Sequence, residues 1–134
     1  MTVGYAGRGD GRGLAFAMLG DAAEARGRLL RVEFACRALP ALQGRDIAYA
    51  ALAAVVDALL ARGMRRAELC VADARLVRDV AERAALPAAL HLPYVVLGCR
   101  LNRLREVRLA ASDAPLAHEL TARARAELEL TAAA

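Results

Sequence analysis

The sequence contains no tryptophan and no lysine, and aromatic residues make up only 4% of it. So few aromatics leave little on which successive single-stranded bases could stack, which disfavours recognition of that kind. With lysine absent, all 19 basic residues are arginine, and the glycine-rich phosphate loop that ends in lysine is excluded. Cys36, Cys70 and Cys99 stand far apart in apolar settings, without paired spacing or a nearby histidine, so buried free thiols are expected and not a zinc site or disulfides. Every apolar run is broken by Arg, Asp or Glu well before the ~20 residues needed to cross a bilayer. The start of the chain also lacks a basic-then-apolar leader pattern, so the reading is a soluble, cytoplasmic protein with no membrane partner.

What is present is material for a core. In 134 residues, 58% are hydrophobic and 25% charged, which predicts one globular domain over residues 1–134. The net charge of +4 and pI of about 9.5 suit contact with nucleic acid. Heavy use of Arg and Ala is equally what base composition alone would produce.

Thr2 to Ala6 is a short apolar strand, followed by the glycine-dense stretch Gly7-Arg8-Gly9-Asp10-Gly11-Arg12-Gly13 and a second strand from Leu14 to Leu19 that Gly20-Asp21 ends. This predicts a hairpin. The alternating glycines match neither the dinucleotide-binding spacing nor a phosphate loop. Arg28 to Arg37 alternates, with Leu30, Val32, Phe34 and Cys36 on one face, as an edge-like third strand does. From Asp46 the period lengthens: Leu52, Val55, Val56, Leu59 and Leu60 recur at helical spacing and Gly63 stops the helix. Ala67 to Ala72 reads as a central strand, and Leu76, Val77, Val80 and Ala84 mark a second helix. Pro93 opens a third, in which Tyr94, Leu97, Leu101 and Leu104 share a face; Glu106 to Ala111 is a last strand. Ser112-Asp113-Ala114-Pro115 supplies cap and first-turn proline for a final helix to about Glu129.

This order, with particular residues, resembles the ribonuclease H superfamily. In the family's reverse-transcriptase-like branch a first strand ending aromatic-Asp-Gly leads into a glycine-rich hairpin, and Val3-Gly4-Tyr5-Ala6-Gly7 stands there. The first helix typically reads Asn-Glu-Ala-Glu-Tyr-x-Ala-Leu, against Arg45-Asp46-Ile47-Ala48-Tyr49-Ala50-Ala51-Leu52. The fourth strand ends Asp-Ser-x-Leu-Val, against Asp73-Ala74-Arg75-Leu76-Val77, and the last helix carries Ala-Asp-x-Leu-Ala, against Ala117-His118-Glu119-Leu120-Thr121. The resemblance implies an α/β fold with a five-stranded mixed sheet, its first three strands antiparallel and the last two parallel to the first, flanked by helices. It also implies that the family's four acidic positions have become Ala6, Ala48, Asp73 and His118.

Family catalysis uses two divalent metals, which need several convergent anionic oxygens to offset their mutual repulsion. Alanine offers none, so Ala6 and Ala48 predict lost or weak cleavage, with Asp73 and His118 as remnants. No cofactor is expected; Mg²⁺ or Mn²⁺ would matter only to residual nuclease activity, held weakly by Asp73 with Asp10, Asp46 or His118. Each of these has a plainer reading: Asp73 and Asp46 as helix caps, Asp10 as a turn former and His118 as a surface residue. Arg8 and Arg12 on the hairpin, and Arg100, Arg103 and Arg105 after the third helix, are the candidate phosphate contacts, although a solvated face fits them too. The expected function is a nucleic-acid-binding domain for RNA/DNA hybrid, RNA or DNA that has lost its nuclease. The alternatives are a divergent active ribonuclease H and a protein-interaction or dimerisation module; the alanines of the first helix would permit a homodimer.

Overall fold

The computed structural model describes residues 1–20, 28–82 and 85–133. Asp21 and Ala84, read above as a strand stop and a helix position, lie outside them. Five strands, β1 (Thr2–Gly7), β2 (Arg12–Leu19), β3 (Arg28–Ala35), β4 (Arg66–Val71) and β5 (Glu106–Ala111), form one sheet in the order β3-β2-β1-β4-β5. β1, β2 and β3 are an antiparallel meander, and β4 and β5 run parallel to β1. The helices are α1 (Arg45–Ala61), α2 (Ala74–Glu82), α3 (His91–Leu101) and α4 (Pro115–Ala133), with 3-10 turns at Pro40–Leu42 and Ala88–Leu90. No helix is long and apolar enough to cross a membrane.

Alternation along the strands sorts the core into two layers. On one face Val3, Ala15, Ala17, Leu69 and Val71 pack against α1, α2 and α3. On the other, Ala6, Leu14 and Phe16 meet Leu120, Ala124 and Leu128 of α4. The small Ala15 and Ala17 of β2 let α1 lie close, and α1 buries Leu52, Val55, Val56 and Leu59 completely, about 1.5–3 kcal/mol each. Its Ala48 and Ala51 are buried in the same layer. These two alanines are covered by the chain's own core. α4 presses onto β1 at Gly4, where an added Cβ would lie 2.3 Å from the Thr121 amide nitrogen.

The helix ends follow local chemistry. Gln43 and Gly44 both adopt positive φ, 52° and 85°, which turns the chain into α1 with Gly44 at the cap position; glycine takes that conformation without strain. α3 begins at His91, so Pro93 stands inside its first turn, where no amide is needed, instead of opening it. α3 also ends at Leu101, and Leu104 is buried from the following turn. The thiols differ from expectation: Cys36 and Cys70 are half-buried and Cys99 is exposed, all three free. Cys99 lies on the outer side of α3, away from the stripe that carries Leu97 and Leu101 to the core.

Candidate functional site

At the carboxyl ends of β1 and β4, where α1 and α2 begin, the sheet opens into the crevice that open α/β sheets use for ligands. Asp73 stands there, one residue before α2. Its Oδ1 accepts the amides of Arg75 at 3.0 Å and Leu76 at 3.1 Å, which is the N-cap geometry that satisfies a helix's free donors. Its Oδ2 accepts the hydroxyl of Tyr5 at 3.4 Å. The β1/β4 register pairs Thr2 with Cys70 and Val3 with Val71, and just beyond it the Tyr5 hydroxyl reaches Asp73. Burial, and then the charge and hydrogen bond of Asp73, push the Tyr5 hydroxyl well above its ordinary pKa.

Ala6 faces the α4 side of the sheet. Neighbouring strand residues point to opposite faces, and Ala6 packs under α4 with Leu14 and Phe16. The β1 side chain that hydrogen-bonds to Asp73 is Tyr5, which brings a phenol and no carboxylate. Ala48 does lie on the α1 side, fully buried. Its neighbour Ile47 covers Gly7, where a Cβ would sit 2.8 Å from Ile47 Cδ1. The crevice wall facing β1 is thus apolar at both α1 positions.

The other acids have local partners. Asp46 is buried, and its Oδ2 accepts the Leu39 amide at 2.7 Å while Oδ1 accepts that of Ile47 at 3.0 Å. It latches the loop after β3 to α1 and does not cap the helix from outside. Asp10 Oδ1 accepts the Arg12 amide at 3.1 Å and Oδ2 pairs with Arg8 at 3.3 Å, closing the hairpin on itself. His118 is exposed in the first turn of α4, and among the described residues no hydrogen bond or ion pair joins it to Asp73.

The arginines proposed for phosphate divide between two ends of the molecule. Arg8 and Arg12 are at the Asp73 end, because Gly7 pairs with Gly13 and Arg12 with Ala35 there. Arg8 is tied down, donating to the Leu128 carbonyl at 3.3 Å besides its pairing with Asp10. Arg103 and Arg105 precede β5 and lie at the opposite end, the Arg105 amide donating to Arg65 O; β4 alone separates the two ends by about 17 Å. Arg100 is paired with Asp57 of α1 at 2.7 Å. These three are not part of the Asp73 crevice.

Sequence reasoning missed a buried ion pair beside it. Arg45 Nη2 donates to Asp79 Oδ2 at 2.6 Å, and the Tyr49 hydroxyl donates to the same oxygen at 3.3 Å. Asp79 is 5% exposed, so the pair joins α1 to α2 out of water. Burial and then Asp79 push the Tyr49 hydroxyl above its ordinary value. The signal was legible: Asp79 stands three residues after the buried Leu76, an acid on the apolar face of its helix.

No protein-family model matches the chain, and no curated protein matches it. Solved structures do. The crystal structure of RNase H1 from the halophilic archaeon Halobacterium salinarum NRC-1 superposes with a TM-score of 0.72 at 16% identity, over 96% of this chain and 95% of that one. This chain has the ribonuclease H fold. A second ribonuclease H neighbour is the N-terminal RNase H domain of a Mycobacterium tuberculosis protein, solved as a fusion with maltose binding protein, at a TM-score of 0.65 and 14% identity over 92% and 95%.

The ribonuclease H fold implies a pair of divalent cations at this crevice, and the residues present do not fit them. Asp73 has both carboxylate oxygens engaged by protein donors. Tyr5 is held neutral by its surroundings, and Ile47 and Ala48 bring no oxygen. Among the described residues no three of His, Cys, Asp and Glu are grouped to hold a metal. Two hard cations need more anionic oxygen than this.

Proposed function

We propose that this ribonuclease H-fold domain binds double-helical nucleic acid, RNA/DNA hybrid foremost, and does not cleave it. One observation carries the reading: Asp73, which the family resemblance makes the one retained acid, is used as a helix cap and as the acceptor of Tyr5. A carboxylate so engaged beside a phenol and an alanine supplies binding architecture without the ligand charge of catalysis.

Binding rests on the basic charge and on where exposed arginines fall. Arg12, Arg37 and Arg75 are exposed at the Asp73 end of the sheet, on the hairpin, the loop after β3 and the first turn of α2. Among the described residues none of the three has an ion-pair partner. Their spread around the crevice suits phosphates along a duplex, which need charge and reach and no base-specific geometry.

Titrating a labelled hybrid across a salt series tests this. Affinity is expected to fall steeply with salt, and Arg37→Ala and Arg75→Ala each to reduce the logarithmic slope by about 1. Arg103→Ala and Arg105→Ala, at the far end, should leave it unchanged. A salt-insensitive complex, or no complex at low salt, overturns the proposal.

A further inference from the structure

The far end of the sheet carries an edge that is complementary to itself. β5 is the last strand, and among the described residues nothing pairs with its outer side. The Glu106 amide donates to Arg65 O and the Ser112 amide to Val71 O. Even-numbered residues of β5 therefore bond to β4, and by alternation Val107 and Leu109 present amide and carbonyl to the open edge. Val107 is 38% exposed there, and Val95 of α3, which lines the same apolar groove, is 55% exposed.

Charges on the other face of the strand fix a register. Glu106 and Arg108 share the face that α4 leaves uncovered, beside Arg66 and Glu68 of β4, with Arg66 paired to Glu106 at 3.7 Å and Glu68 standing next to Arg108. Taken singly, such charges blunt a sheet edge. Taken in order, they read Glu106, Val107, Arg108, which is its own antiparallel complement. We infer that a second copy of this chain pairs antiparallel along β5, with the two-fold axis passing between the two Val107 residues.

In that arrangement the Val107 residues exchange both backbone bonds, and Glu106 faces the partner's Arg108 on each side of the axis. Side chains come closest in such flanking pairs without backbone bonds, with Cα atoms about 4.5 Å apart. The row across the four strands then reads Arg66, Glu106, the partner's Arg108 and the partner's Glu68, alternating in sign throughout. Shifting the axis by one residue to Arg108 puts two arginines face to face and turns the bonded amides away from the partner, so the register is specific. Isologous pairing of this kind closes at a dimer.

The test is sedimentation equilibrium of the whole chain, with circular dichroism to confirm folding. Wild type is expected to dimerise, Glu106→Arg and Arg108→Glu each to be monomeric, and an equimolar mixture of the two to form a heterodimer, because arginines of one copy then face glutamates of the other. Recovery in the mixture shows that each variant is folded and that charge pairing is what was lost. A wild type that stays monomeric overturns the inference, as do single variants that dimerise like wild type or a mixture that stays monomeric. Binding of hybrid is read separately, so the two proposals stand or fall apart.

Discussion

Replacing Asp73 by Asn and by Ala separates a cap from a ligand. Asp73→Ala removes the oxygen that accepts two amides at 3.0 and 3.1 Å and the acceptor of Tyr5 at 3.4 Å. Loss of the cap costs about 1 kcal/mol, and the long bond from Tyr5 adds about 0.5 kcal/mol. In a 134-residue chain that total lowers Tm by about 6 °C. Asn caps as well as Asp, so Asp73→Asn gives up only the charge at the positive end of α2, about 0.5 kcal/mol, or about 2 °C. Thermal unfolding followed by far-ultraviolet circular dichroism, with and without Mn²⁺, distinguishes the cases. The expected order is wild type, then Asn, then Ala, with Mn²⁺ moving none of them. If Asn falls as far as Ala, Asp73 is not acting as a cap, and if Mn²⁺ raises wild type and not Asn, the carboxylate is acting as a metal ligand; either result refutes the assignment.

Two further outcomes follow from the buried groups. Asp79→Leu leaves the Arg45 guanidinium buried without its partner and should cost about 3–5 kcal/mol in urea unfolding, while adding Arg45→Met should restore most of it; a double variant no better than the single would refute the ion pair's isolation. Tyr5 and Tyr49 both have their hydroxyl pKa raised by folding, through burial and then Asp73 or Asp79. Their contribution is present in full below the unfolded value of about 10 and is lost as pH climbs beyond it toward the folded values, at up to about 1.4 kcal/mol per pH unit for each tyrosine. Tyr5→Phe should remove one of the two shares from an alkaline stability titration, and an unchanged slope would show that Tyr5 is not held neutral by the fold.

Much of the architecture was legible because periodicity is a local property. The alternation of β3, the helical spacing in α1 and the apolar run of β4 are each set by which side chains must leave water. The same alternation sorts β1, where Val3 and Tyr5 share the α1 face while the small Gly4 and Ala6 make room for α4. The contact of Tyr5 with Asp73 was not legible from motif matching, and reading β1 by period two would have pointed to it. The Arg45 and Asp79 pair joins residues 34 apart, and nothing local couples them beyond the odd position of Asp79 on an apolar stripe. The arginines after α3 were near one another in sequence, but parallel β4 and β5 carry them to the end of the sheet away from Asp73. Topology decided that, and composition could not.

On the proposed reading, this ribonuclease H fold holds nucleic acid without the means to cut it. The most direct test is an RNA/DNA hybrid with labelled RNA, incubated with the protein in Mg²⁺ and in Mn²⁺, with binding and RNA length read from the same reactions and Asp73→Asn alongside. A salt-sensitive complex is expected, in which the RNA stays intact with either metal. RNA cleaved by the wild type and left whole by Asp73→Asn would contradict that reading.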